Sequence, residues 1–499
     1  MIGAAGASWF FECRGKRPFP LHFFRSLRCF VVWEGCDVAS AKDLLLVTRS
    51  AVTFCFGISF IANVFLESPL IDSLNLGLMV AVVALSFVSS EGSARTIGTL
   101  LLFSGIVLLI CSHAPLSAWG QALQENSQLV VMFITVPLLG IPIRCGGYGD
   151  SLREAFGRHA GTGARYYALV SVMTALLGVL LSIAVVPLSH EVSRTSCHCE
   201  NKKLVSTALS RGFVTCMIWA PTSATIALVV QLTGVDWVDL FPSAFACALV
   251  AGAVGAFMAC AGEKRNASPC AMGASKCCSD EPALPKIIEL CAFFLVLIAS
   301  IVGLSQMMGL SVIVAVAAAS LFLPVVWMTC IGRLPVDEKE FRGDYFKRKL
   351  PSAGNQIALF VGAGFFAQGM SSSHVGDVLM GALAQVAGQS VLLLTVAVIG
   401  LVLATSAVGI HPVAIVAVAG GAMSASGCGI TPTYAALVLS ISWAMGNALC
   451  PASANVVAVS NLVGRSPIEV SLRWNGLYVL VASVVLVLVL TLLRSVGLA

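Results

Sequence analysis

The sequence predicts an all-α polytopic membrane protein of eleven transmembrane helices and two re-entrant hairpins, its second half repeating part of its first in inverted orientation. Three observations predict it. The 499-residue chain is 58% hydrophobic and 11% charged, with a mean hydropathy of +0.94, whereas soluble domains carry about a quarter charged residues. Its basic residues fall in loops that share one side of a membrane only if two apolar segments turn back on themselves. Finally, a polar, proline-bearing motif recurs 230 positions on, inside two segments apolar enough to lie in a bilayer.

Residues 1–43 carry Arg14, Lys16, Arg17, Arg25, Arg28 and Lys42 with aromatics between them, and read as a basic amphipathic segment on the cytoplasmic side. No small-residue cleavage site follows an apolar core, so no secretory signal is assigned. Scaffold helices follow over 44–126, from apolar runs at 44–66, 70–88 and 97–116, each long enough to cross a bilayer. The first repeat, 127–261, comprises a helix at 127–143, a hairpin at 166–189, a broken helix at 205–233 and a helix at 241–261. A cytoplasmic, Cys-containing loop (262–285), scaffold helices (286–331) and a strongly basic cytoplasmic loop (332–350) lead to the second repeat. That repeat, 355–493, has its hairpin at 391–424 and its broken helix at 431–463.

The hairpins come from the positive-inside rule. Loop 144–165 holds Arg144, Arg153, Arg158 and Arg165, and loop 190–204 holds Arg194, Lys202 and Lys203, so segment 166–189 must leave on the side it enters. Segment 391–424 is too long for one simple helix and is interrupted by "TSAVGIHP", with flanks at 373–390 and 425–430 that contain no Lys or Arg. It therefore opens to the outside. The N-terminus then lies inside and the C-terminus outside.

The repeated motif is "WAPTSATIALVVQLTG" (219–234) and "LCPASANVVAVSNLVG" (449–464), which share Pro221/Pro451, Ser223/Ser453 and Gly234/Gly464. "GDSL" (149–152) and "GDVL" (376–379) extend the match upstream. Inverted repeats with discontinuous helices are the architecture of secondary transporters. Proline removes a backbone donor and breaks the helix, and the freed groups are tolerable in a membrane only where protein or a polar cavity covers them. Each half-helix after a break offers unpaired N–H groups to an anion. Pro221, Thr222, Ser223 and Thr225, with Pro451, Ser453 and Asn455, are therefore the expected substrate- and ion-binding residues, enclosing a site near the midplane. Ser182 in the first hairpin, and Thr405, Ser406, Gly409 and His411 in the second, complete the candidates.

No Asp or Glu lies deep in the hairpins or broken helices. A carboxylate proton relay is thus not visible, which favours sodium over a proton as coupling ion. His411 is the one titratable group placed to meet substrate, as a proton carrier, an imidazolium or a neutral structural residue. Arg211 is assigned to lipid headgroups, and Arg49 is expected to snorkel to the interface. The net charge of +5 is dispersed over loops and points to no nucleic acid. Many of the eighteen cysteines, Cys55, Cys111, Cys216, Cys247, Cys260 and Cys291 among them, lie in apolar spans, while "CHC" (197–199) and Cys270, Cys277 and Cys278 are read as solvated thiols. Their spacing matches no zinc pattern. No metal or organic cofactor is expected. Without HExxH, GxSxG or paired intramembrane carboxylates, neither is an enzyme.

Residues 40–495 resemble the ion transporter superfamily, and within it the divalent anion/sodium symporter (dicarboxylate) family, on "ALCPASANVVAV" (448–459) and "IALFVGAGFFAQGM" (357–370). That resemblance implies an elevator mechanism, a homodimer, and cation-coupled transport, sodium favoured, of a small di- or monocarboxylate or sulfate-like anion across a bacterial inner membrane. The symporters carry Ser-Asn-Thr at each hairpin tip; "LLSIAVVPLSH" (180–190) and "ATSAVGIHPVA" (404–414) lack the asparagine. The large membrane subunit of tripartite periplasmic transporters is similar as well, through "APTSATIALVVQLTGVDWVDLF" (220–241) and "VGIHPVAIV" (408–416). It implies a periplasmic binding protein as partner. An oxyanion or sodium/proton antiporter of the same superfamily is the remaining alternative.

Overall fold

The computed structural model describes residues 41–263, 283–333, 339–373, 375, 378, 390–425 and 430–498. Among these there are only helices and connections. Residues 1–48 separate as a unit from 49–499, and of the former only 41–48, the opening turns of the first helix, are described. The expected basic N-terminal segment, the 262–285 loop with Cys270, Cys277 and Cys278, and most of "GDVL" lie outside the described residues.

Among the described residues nineteen α-helices follow in order. The first thirteen are α1 Ala41–Leu66, α2 Pro69–Ser89, α3 Gly92–Cys111, α4 Leu116–Thr135, α5 Gly140–Cys145, α6 Tyr148–His159, α7 Gly163–Leu181, α8 Val185–Ser193, α9 Lys202–Trp219, α10 Ala224–Thr233, α11 Trp237–Glu263, α12 Ala283–Met308 and α13 Val312–Cys330. The rest are α14 Leu350–Ser372, α15 Val391–Ala407, α16 Pro412–Ala425, α17 Pro432–Leu449, α18 Ala454–Val463 and α19 Gly476–Ser495. π-Helical segments at Lys339–Lys349 and Glu469–Asn475 lead into α14 and α19.

Among the described residues, eleven stretches are long and apolar enough to cross a membrane. The number equals the expected eleven helices, but the membership differs. Gly163–Ser193 qualifies by length and hydropathy, although it is the expected first hairpin, and α14 does not qualify. Asn355, Gln356, Gln368 and several glycines dilute α14, yet most of its length is buried. It packs on α3 with almost nothing between the backbones. A Cβ at Gly98 would stand 2.7 Å from the Ala358 carbonyl oxygen, and one at Gly369 would stand 2.8 Å from that of Gly105. Glycines at both ends of a shared seven-residue spacing make this approach possible, as small residues do between membrane helices.

Both expected hairpins reverse direction. α7 ends at Ser182, whose φ of +50° is rare for a side-chain-bearing residue, and α8 returns. The return brings the two ends together: the Ser196 hydroxyl donates to the Ala160 carbonyl at 3.4 Å, and Arg153 on α6 pairs with Glu191 on α8. In the second, α15 runs parallel to α17, with Thr395 bonded to Tyr434 at 2.8 Å and Ser406 against Gly446. α16 then runs back, from Pro412 at Gly446 to Gly420 beside Leu439. Gly409, at φ +96°, makes the turn a Cβ would strain.

The broken helices join the two halves. α7 runs parallel to α9, the Ser171 hydroxyl donating to Ala208 O at 3.0 Å. Beyond each break, however, the half-helix leaves its own hairpin: α18 packs on α8 and α9, and α10 packs on α16 and α17. At one end of the bundle α6 is anchored to α12 and α13. The Tyr148 hydroxyl donates to Glu289 at 2.7 Å and accepts from Trp327 Nε1 at 3.0 Å, and burial raises its pKa to about 12.

Two expectations about arginine are corrected. Arg49 is 6% exposed and donates to the Pro351 carbonyl beside Gly354, so it does not snorkel. Arg211, also 6% exposed, donates through Nε to Asn475 Oδ1 and through Nη2 to Trp474 O, both at 3.0 Å. Its guanidinium stands 4.5 Å from the Tyr478 ring centre. In each case an exposed helix carbonyl or a ring face within the protein replaces the lipid headgroup.

Gly362→Val should lower the melting temperature of the detergent-solubilised protein, because its side chain meets the Gly98 backbone rather than a movable side chain; overpacking of this kind costs about 1–3 kcal/mol. Gly77→Ala, with open space around it, is the matched control and should melt no lower than the parent.

Candidate functional site

The two breaks are the same local structure. Ala220 and Cys450 end their helices in extended conformation, the region to which a following proline confines a residue. Ser223 N then bonds Ala220 O at 3.0 Å, and Ser453 N bonds Cys450 O at 3.1 Å, closing matching turns. Each serine next serves as N-cap, its Oγ accepting from Ile226 N or Val456 N at 3.2 Å. Ten-residue half-helices follow, stopped by Gly234 and Gly464 in the left-handed region at φ +69° and +63°. Pro, Ser and Gly, the residues that recur in the sequence, are the ones this geometry needs.

Each break faces its own hairpin turn. The Thr222 hydroxyl donates to Val179 O at 2.6 Å, and the Cys450 thiol donates to Ile410 O at 3.6 Å. Gly178 brings α7 against Cys216, and Gly446 brings α17 against Ser406 and Pro412.

The twelve candidates then divide. Thr222 is held by Val179, and Thr405 bonds back to Leu401 O at 2.8 Å. His411 accepts from Val413 N through Nδ1 at 3.3 Å and so caps α16. Pro221, Pro451, Ser182 and Gly409 shape turns. Three of the remainder are fully buried and keep an oxygen without a hydrogen-bond partner: Thr225 Oγ1, Ser406 Oγ and Asn455 Oδ1. Ser453 is fully buried too, and donates to Asn447 O at 2.7 Å. Buried polar atoms without partners are exceptions in folded proteins.

Asn455 Nδ2 donates to Ser210 Oγ at 3.1 Å, and Ser210 lies ten positions before Ala220, so the half-helix after the second break lies beside the middle of α9.

Ser210 and Asn447, whose own Oδ1 is buried without a partner, contact the residues after the second break and were not anticipated. The signal for Asn447 was its place four residues before Pro451; Ser206 and Ser210 share one face of α9 by their four-residue spacing. Among the described residues no His, Cys, Asp and Glu group is arranged to hold a metal.

The family described as "Tripartite ATP-independent periplasmic transporter, DctM component" matches residues 201–494, which include both interrupted helices and the second hairpin. No curated protein matches the chain. Among solved structures, the YdaH transporter of Alcanivorax borkumensis is similar with a TM-score of 0.56 and 15% identity, over 80% of this chain and 98% of that one. MtrF of Neisseria gonorrhoeae, described among antimetabolite efflux pumps, is similar with a TM-score of 0.47 and 13% identity, over 78% of this chain and 94% of that one. At such identity the first likeness concerns the fold alone, and it is to a transporter fold.

Ser223→Ala and Ser453→Ala should differ in cost. Both lose an N-cap worth about 1 kcal/mol, but Ser453→Ala also removes the donor to Asn447 O in a dry environment, adding about 1–3 kcal/mol. Thermal unfolding of the two variants in detergent measures the difference. Equal melting temperatures would show that the second break is not as tightly sealed as its contacts indicate.

Proposed function

We propose, from the premise that this chain belongs to the DctM component family of tripartite ATP-independent periplasmic transporters, that it moves a small anion across a bacterial cytoplasmic membrane as the large membrane subunit of such a system. The chain is an integral multi-pass transport protein; its substrate, coupling ion and mode of movement are the inferred parts. The observation that carries the reading is the pairing of a hairpin turn with a proline-broken helix, twice, with Thr225, Ser406 and Asn455 offering buried unpartnered oxygens beside the breaks. Half-helix N-termini suit an anionic group, and hydroxyl and amide oxygens suit a sodium ion.

A di- or monocarboxylate, or a sulfate-like oxyanion, fits this chemistry. Sodium is favoured over a proton because the described hairpins and broken helices place no Asp or Glu at the breaks. The hairpins with their broken helices would carry substrate by an elevator movement against the remaining helices, in a homodimer with its N-terminus inside. A periplasmic binding protein would deliver the substrate. The resemblance to the dicarboxylate symporter family gains no support from the family match, which favours the tripartite reading first held as the alternative.

Uptake into proteoliposomes tests this. A panel of labelled di- and monocarboxylates and sulfate is offered with and without an inward sodium gradient, each with and without a candidate periplasmic binding protein from the same source. Accumulation that needs both sodium and the binding protein is expected. Accumulation without the binding protein would make the chain a self-sufficient symporter instead.

Ser453→Ala with Asn455→Ala should reduce sodium-driven uptake at least tenfold while the purified protein keeps its elution volume. Wild-type uptake by that double variant would remove the second break from the transport site.

A further inference from the structure

The segment that joins the two halves does not stay on the surface. Residues 332–350 read as a basic cytoplasmic loop, and Lys347 and Arg348 are exposed, yet Tyr345 just before them is fully buried. Its hydroxyl donates to the Ile134 carbonyl at 2.9 Å. Its ring stacks on Phe341 at 5.6 Å and meets Phe54 of α1 edge-on at 6.1 Å.

The carbonyl it reaches lies where α4 gives way. Pro137 brings no N–H to the helix ladder, and the chain tightens into a 3₁₀ turn over Val136–Leu139 before α5 resumes. By the offset of 227 positions between Gly149 and Gly376, Pro137 matches Gly364, which lies inside the unbroken α14. The bend therefore belongs to the first half alone.

An ion-pair cluster fastens the far side of the bend. Arg144 on α5 pairs through Nε with Glu340 at 2.7 Å and through Nη2 with Asp344 at 3.2 Å, and Asp344 also pairs with Lys349 at 3.5 Å. Two cations and two carboxylates balance, so the cluster is a fastening and calls for no further ion. Its seat is Gly140, where a Cβ would stand 3.0 Å from Arg144 Nη1, 3.1 Å from Leu181 Cδ2 and 3.3 Å from Lys349 Nζ. Both cationic heads thus converge on one point, and the Asp344 carboxylate shared between them offsets their repulsion.

The first hairpin rests on this seat. Leu181 ends α7 immediately before Ser182, which turns the chain at φ +50°. Two residues earlier, the Val179 carbonyl accepts from Thr222 at the first break. α7 also packs on the 3₁₀ turn.

We propose that the linker segment Lys339–Lys349 is a brace: Tyr345, Asp344 and Arg144 are positioning residues that fix the α4–α5 bend as a seat for the first hairpin turn, and through that turn they set the geometry of the first break for substrate. The seat stands on these contacts alone; its bearing on substrate rests on the transport reading above. The turn of one half is then held by chain that leads into the other.

Hydrogen–deuterium exchange of the purified full chain, read on the peptide covering 177–186, tests the seat. Asp344→Ala should speed exchange there at least tenfold, because Arg144 and Lys349 lose the carboxylate between them. Tyr345→Phe should speed it at least threefold through the loss of one hydroxyl. Asp344→Glu, which keeps the charge, should stay within twofold of the parent, as should Lys347→Ala, exposed in the same segment. Tyr345→Phe keeps the buried ring and decides the matter alone where Asp344→Ala does not fold. Parental exchange at 177–186 in either folded variant, even with faster exchange at 339–349, would overturn the brace.

Proteoliposome uptake tests the step to substrate. A merely structural loss lowers the maximal rate with the amount of folded protein and leaves KM unchanged. A displaced turn should raise KM at least fivefold in Tyr345→Phe, with Asp344→Glu at the parental value. Parental KM in Tyr345→Phe would overturn that step and leave the seat. No uptake of any anion by the parent would remove the transport reading, and the exchange result would still decide the seat.

Discussion

A helix interrupted inside an apolar layer leaves backbone groups that lipid cannot satisfy, and much of this molecule is arranged to cover two such interruptions. Each break is closed from one side by a hairpin turn, through Thr222 on Val179 O and Cys450 on Ile410 O. From the other side the half-helices are exchanged, α18 lying on the first hairpin's returning arm and α10 on the second's. Neither half completes its own enclosure. The symmetry that makes the two breaks alike also makes each dependent on the other half.

Outside that centre the same economy of polar groups holds. α3 and α14 meet backbone to backbone at paired glycines. Arg49 and Arg211, which unpaired in hydrocarbon would cost about 3 kcal/mol or more each, are each given a carbonyl acceptor by a helix end elsewhere in the chain. Near the breaks Thr225, Ser406, Asn447 and Asn455 each keep a buried oxygen without a partner, as Asn75, Asn126 and Ser320 do elsewhere in the described residues.

The class of fold was legible because its signals are long-range averages. Hydropathy marks spans, and loop charge decides which segments turn back. The breaks were legible for a different reason: Pro, Ser and Gly at Pro221, Ser223 and Gly234 are the residues that end, cap and stop a helix, so identity and geometry coincide. The partner of Asn455 was not legible. Nothing in the motif reveals that Asn455 meets Ser210 rather than the first break, since that follows from how the half-helices are exchanged. Arg49 and Arg211 were misassigned because a span's composition shows that an arginine is near an interface, not which distant carbonyl it can reach. That Thr405 and His411 each bond a backbone group of their own turn was likewise not legible.

The Arg211 contact also sets a clock on biosynthesis. Its acceptor Asn475 is 264 residues further along the chain. At about 5–20 residues per second the ribosome needs roughly 10 to 50 s to supply it. During that interval α9 carries a cation whose final neutral dipoles do not yet exist, so this helix must wait at the water boundary or against the translocation machinery. The membrane seat of the first broken helix is settled only when the last helix arrives.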